Sequence, residues 1–124
     1  MSVEPISSRK NARPQRGEIW WVKLDPIRNH QTVINRPCLV ISVNQINSGA
    51  ANIIIGIPIE FENQGIASHI PVNPHNLDIR STGYIHCEDI RKIPIEWIES
   101  CAGVLPADTM TEVEETVSLL LGLG

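Results

Sequence analysis

With 124 residues, 42% of them apolar, the chain is long enough for one packed domain and far from a disordered composition. No run approaches the roughly 18 uninterrupted apolar residues of a membrane span. A net charge of −4 excludes the broad basic face on which a non-specific duplex binder relies.

Residues 1–15 carry Ser, Pro, Asn and basic residues without periodicity and read as a flexible basic arm, leaving 16–124 as the domain. The side chains of residues 1–16 sum to +3 and those of 17–124 to −7, so the tail and body are of opposite sign. The polar start has no apolar signal core. Cys38, Cys87 and Cys101 are odd in number and lack metal-ligand spacing, which suits buried thiols in a reducing cytoplasm.

Order is expected from Arg16-Gly17. Glu18 to Leu24 reads as a strand, with Ile19 and Trp21 on one face and Trp20, Val22 and Leu24 on the other. Either Trp20 or Trp21 should therefore point away from the interior, most simply into a dimer contact. Asp25-Pro26 stops the strand. Residues 27–36 form a polar loop longer than the usual hairpin connection of 2–5 residues, the kind of segment where binding groups sit. Pro37 to Val43 is a second strand, residues 44–52 a turn or short helical piece, and Ala51 to Phe61 a third strand with bends at Gly56 and Pro58. Ser68 to Val72 returns, expected beside the strand bearing Glu60. Gly83 to Cys87 and Ile90 to Ile93 follow as short strands.

The last segment changes period. Met110, Val113, Val117, Leu120 and Leu121 recur at helical spacing opposite Glu112, Glu114 and Glu115. Thr109 to Glu112 fits a capping box, and Gly122 is placed to end the helix. Five to seven strands followed by one amphipathic helix describe a mainly β domain with a helix packed on it.

The ordered pieces resemble the MazF/PemK family of toxin–antitoxin toxins. Arg16-Gly17-Glu18-Ile19-Trp20 with Leu24-Asp25-Pro26 looks like its opening strand and turn. Arg36-Pro37 followed by Cys38 to Ser42 looks like its Arg-Pro motif and apolar strand. Ile57-Pro58-Ile59, His69 to Val72, Gly83 to Ile85 and Glu88 to Ile93 follow in family order, and Leu119 to Leu123 fits the closing helix. The resemblance implies an SH3-like small β-barrel of the CcdB/MazF type and a homodimer without cofactor or metal. It also implies a cognate antitoxin whose extended tail occupies an RNA groove, with operator DNA reached only through the antitoxin complex. The implied activity is metal-independent, sequence-specific cleavage of single-stranded RNA, giving 2′,3′-cyclic phosphate and 5′-hydroxyl ends.

Such cleavage needs a base for the 2′-hydroxyl, a stabiliser for the phosphorane and an acid for the leaving oxygen. Arg36, always charged and forked, suits the stabiliser, and the resemblance places the catalytic arginine there. Where relatives commonly have Thr or Ser, two residues after the proline, this chain has Glu60. That carboxylate reads as a base, as a charge that repels phosphate and marks lost activity, or as a solvated strand end. His69 is a further acid–base candidate, through a His–Glu couple near Arg36. Asn29, His30, Gln31, Thr32 and Asn35 of the glycine-free loop are candidate RNA contacts, with His30 also able to move a proton. Spacing gives His75 and His86 no partner and argues against a metal. Two other functions remain open: an inactive relative that binds antitoxin and operator DNA as co-repressor, and a CcdB-like gyrase poison.

Overall fold

A computed structural model of the chain describes residues 13–24 and 34–124. Seven strands are ordered along the chain as β1 (Glu18–Leu24), β2 (Ile34–Val40), β3 (Ile53–Glu60), β4 (His69–Val72), β5 (Gly83–His86), β6 (Arg91–Pro94) and β7 (Ile98–Val104). A one-turn helix α1 (Asn44–Asn47) lies between β2 and β3, and α2 (Ala107–Leu121) closes the chain. Every pairing is antiparallel, in the order β4-β5-β3-β2-β1-β7, with β6 on β3. The fold is mainly β with a C-terminal helix, as expected, and among the described residues the ladder stays open between β4 and β7.

Both faces of the sheet are buried, which is why its strands are so rich in Ile and Val. Ile19, Leu39, Ile57, Ile59, Ile70 and Ile85 pack under Met110 and Val113 of α2. Trp20, Val22, Leu24, Cys38, Val40, Ile54 and Ile93 form the second cluster on the opposite face. The alternation along β1 therefore distributes its residues as expected. Neither tryptophan of β1 stands fully in solvent. Trp20 is buried and donates to Glu18 Oε1 at 3.0 Å, while Trp21 packs on the first cluster and donates to the Asp78 carbonyl at 3.0 Å.

Residues 13–15, expected as part of the arm, are fastened to the body: Arg13 donates to Asn52 Oδ1 at 2.9 Å and Gln15 N–H to Glu18 Oε1 at 2.7 Å. Residues 1–12 lie outside the described residues. Buried Asn47 holds α1 against the sheet by donating to the Ser42 carbonyl at 3.0 Å and accepting from the Ser42 hydroxyl, which in turn accepts from Ile55 N–H at 2.9 Å.

Helix α2 starts two residues before the expected capping box. Pro106 precedes its first turn, and Thr111 Oγ bonds back to the Ala107 carbonyl, so that threonine is helix interior. Gly122 ends the helix with φ 70°, as placed by sequence. Leu120 and Leu121 do not reach the core. Leu119, Leu120, Leu121 and Leu123 are 48–76% exposed. No helix among the described residues is long and apolar enough to cross a membrane.

Candidate active site

The site begins with register. Cys38 stands opposite Pro58 across β2 and β3, and two residues further along the same antiparallel ladder Arg36 and Glu60 come level. They form an ion pair, Arg36 Nε to Glu60 Oε1 at 2.9 Å, with each side chain 32% exposed. Arg36 Nη1 makes a long contact of 3.4 Å to the Asn35 carbonyl, and Nη2 has no partner among the described residues. Glu60 faces Tyr84 across β5. The arrangement places a forked cation and a carboxylate side by side at the rim of a rigid sheet, able to hold a phosphate and accept a proton from its neighbour.

A second ion pair borders the first. Arg91 grips Asp89 through three contacts of 2.9–3.2 Å. Both pairs lie within electrostatic reach of the Cys38 thiol, whose pKa burial pushes up to about 12, with Arg91 and Arg36 opposing and Asp89 and Glu60 adding to the rise. Cys38 is thus a packing group beneath the site, with no thiolate to offer as nucleophile. Sequence reasoning gave Arg91 and Asp89 no role. Asp89 lies in the connection before β6 and Arg91 opens that strand, so no strand period in the sequence links the two.

The remaining expected residues divide. His69 does not join Arg36. It lies on β4, and β5 intervenes between β4 and β3, so His69 is two strand spacings, roughly 10 Å, from the strand bearing Glu60. Its carboxylate partner is Glu88, at 2.7 Å from Nε2. Burial pushes the Glu88 carboxyl up, yet the hydrogen bonds from Ser68 and His69 outweigh it and hold the pKa down at about 2. His86, expected to lack a partner, stacks on His69. Asn35 is exposed on β2, and strand alternation sends its side chain to the face opposite Arg36. Asn29, His30, Gln31 and Thr32 lie outside the described residues.

An open antiparallel sheet capped by a C-terminal helix, with an arginine at the start of β2 beside the end of β3, defines the class. The family model for PemK-like, MazF-like toxins of type II toxin–antitoxin systems matches residues 15–121, and the chain belongs to that family. Among its relatives, the Escherichia coli protein Endoribonuclease PemK is 28% identical over 89 residues, which cover 71% of this chain and 66% of that protein. The crystal structure of MazF from Deinococcus radiodurans superimposes with a TM-score of 0.74 at 23% identity, covering 89% of this chain and 97% of that one. The MazE–MazF structure from the same organism gives a TM-score of 0.75 at 22% identity, covering 90% and 98%.

Proposed function

We propose that the chain is a sequence-specific endoribonuclease toxin that cuts single-stranded RNA without a metal ion, using Arg36 and Glu60. The observation that carries this reading is the 2.9 Å pair at the sheet rim. The E. coli relative named an endoribonuclease supports the reaction class. The scissile phosphate binds the outer guanidinium nitrogens of Arg36, and Glu60 takes the proton of the adjacent 2′-hydroxyl. The 2′-oxygen attacks phosphorus as the bond to the 5′-oxygen breaks. Arg36 neutralises the charge gathering on the phosphorane, and the departing oxygen takes a proton from water. The products are a 2′,3′-cyclic phosphate and a 5′-hydroxyl.

The partners follow from the same reading. The exposed leucines at the end of α2, with Ala67 beside Leu119 and Leu120, supply an apolar patch suited to a homodimer. A cognate MazE-like antitoxin is supported by the Deinococcus complex, and operator DNA is reached only through that partner. The setting is cytoplasmic, where buried free thiols persist. Asn29, His30, Gln31 and Thr32, whose polar side chains suit base edges, read the RNA bases.

One feature favours the co-repressor alternative: Glu60 already neutralises Arg36. The purified chain, incubated in EDTA with a long single-stranded RNA, decides between them. Discrete fragments are expected. Intact RNA, from folded protein free of antitoxin, would make the chain an inactive binding module.

A further inference from the structure

Away from Arg36, three side chains at the outer corner of the sheet form a cluster that RNA cleavage does not use. His69 at the start of β4 and His86 at the end of β5 are register partners. Their rings stack with centroids 3.6 Å apart and planes 10° from parallel. Glu88, in the turn after β5, reaches back so that Oε2 lies 2.7 Å from His69 Nε2 and 3.9 Å from His86 Nδ1. Its other oxygen accepts from Ser68 Oγ at 2.7 Å, which orients the carboxylate from the far side. One donor atom from each of the three residues lies within 4.8 Å of the others.

We propose that His69, His86 and Glu88 bind one divalent transition-metal ion of the zinc class. Two imidazoles and a carboxylate form a three-ligand set that leaves a fourth position for water. Bond lengths of about 2.0–2.2 Å in a tetrahedral site put donor atoms roughly 3.4 Å apart, and the separations of 2.7 and 3.9 Å straddle that value. The nitrogen donors select zinc, cobalt or nickel over magnesium and calcium, which prefer all-oxygen shells. The ring lone pairs lie in two near-parallel planes, so one ion meets both only as the rings turn out of their stack, and Glu88, 44% exposed, shifts with them.

Glu88 is the polar group that both rings face, through His69 Nε2 and His86 Nδ1. The opposite ring nitrogens, His69 Nδ1 and His86 Nε2, are buried with no partner among the described residues and point away from the ion position. A bound ion would tie the edge strand β4 to the turn leading into Asp89 and Arg91. The site stands apart from the cleavage centre, and its presence or absence leaves the nuclease reading intact.

The test uses the full, untagged chain, stripped of metal and titrated with Co²⁺. The expected result is saturation at one equivalent, with the visible absorption of a low-coordinate cobalt site that Zn²⁺ abolishes. Zn²⁺ at roughly 100-fold above its Kd should raise the melting midpoint by several degrees. Glu88→Gln and His86→Ala should each weaken binding at least about 10-fold, and His75→Ala should leave it unchanged. If His86→Ala does not fold, Glu88→Gln decides, because it keeps the shape of a half-exposed side chain. No saturable binding, or binding unchanged in Glu88→Gln, would overturn the proposal.

Discussion

Arg36→Ala is expected to lower the single-turnover rate of RNA cleavage by roughly 10²–10³-fold, equivalent to about 3–4 kcal/mol of lost transition-state stabilisation. The charge on the phosphorane grows only as the 2′-oxygen attacks, so the loss should fall mainly on the chemical step, with RNA affinity weakened less. The fold should be little affected. Arg36 and Glu60 are each about a third exposed, and ion pairs of that kind are worth about 0–1 kcal/mol. Arg36→Lys should recover little activity, because an ammonium supplies charge without the planar fork that spans two phosphate oxygens. Cleavage at the wild-type rate in Arg36→Ala would remove arginine from the mechanism.

Glu60→Gln separates two opposite readings of one carboxylate. If Glu60 is the base, the amide keeps the shape and loses the proton acceptor, and cleavage should fall roughly 10²–10⁴-fold. RNA should at the same time bind as tightly or more tightly, because a negative charge has left the groove and Arg36 is released to the phosphate. If Glu60 is instead a brake that occupies Arg36, the same substitution raises the cleavage rate, and Glu60→Thr raises it further by restoring the residue type common in relatives. The two readings predict changes of opposite sign in rate, so a gel time course with both variants is decisive.

How far the sequence discloses this architecture depends on where each residue's environment is set. The faces of β1 were legible because each side of the strand enters its own core, so strict alternation holds. The C-terminal helix was legible from its period and from Gly122. Its last turn was misjudged because the leucine spacing continues past Val117, the last α2 residue packed against the core. β7 was not anticipated. Ile98 to Val104 holds Glu, Ser, Gly and Ala, and its pairing with β1 carries two register shifts, which blur any period of two.

The site was legible in part for a topological reason. Arg36 and Glu60 meet through the register of β2 and β3, which a sequence does not print but which the Arg-Pro and Ile-Pro pieces of the family pattern bring into line. His69 was placed beside Glu60 on the expectation that consecutive strands neighbour one another, as they do about two-thirds of the time. Here β5 is interposed, and His69 meets His86 and Glu88 instead. The same rearrangement turned His86 from an isolated residue into half of a stacked pair, a contact between residues 17 positions apart that no local spacing rule reaches.

The claim at the centre of this account is that the Arg36–Glu60 pair activates the RNA's own 2′-hydroxyl. Once a cut site is mapped, the direct measurement is cleavage in EDTA of a short oligoribonucleotide carrying a single 2′-deoxy residue at the cut position, beside its all-ribose counterpart. The account predicts that the ribose strand is cut to a 2′,3′-cyclic phosphate and a 5′-hydroxyl, both identified by mass, while the 2′-deoxy strand stays whole. Cleavage of the 2′-deoxy strand at a comparable rate, or a 5′-phosphate on the product, would show that water is the nucleophile and contradict the role given to Glu60.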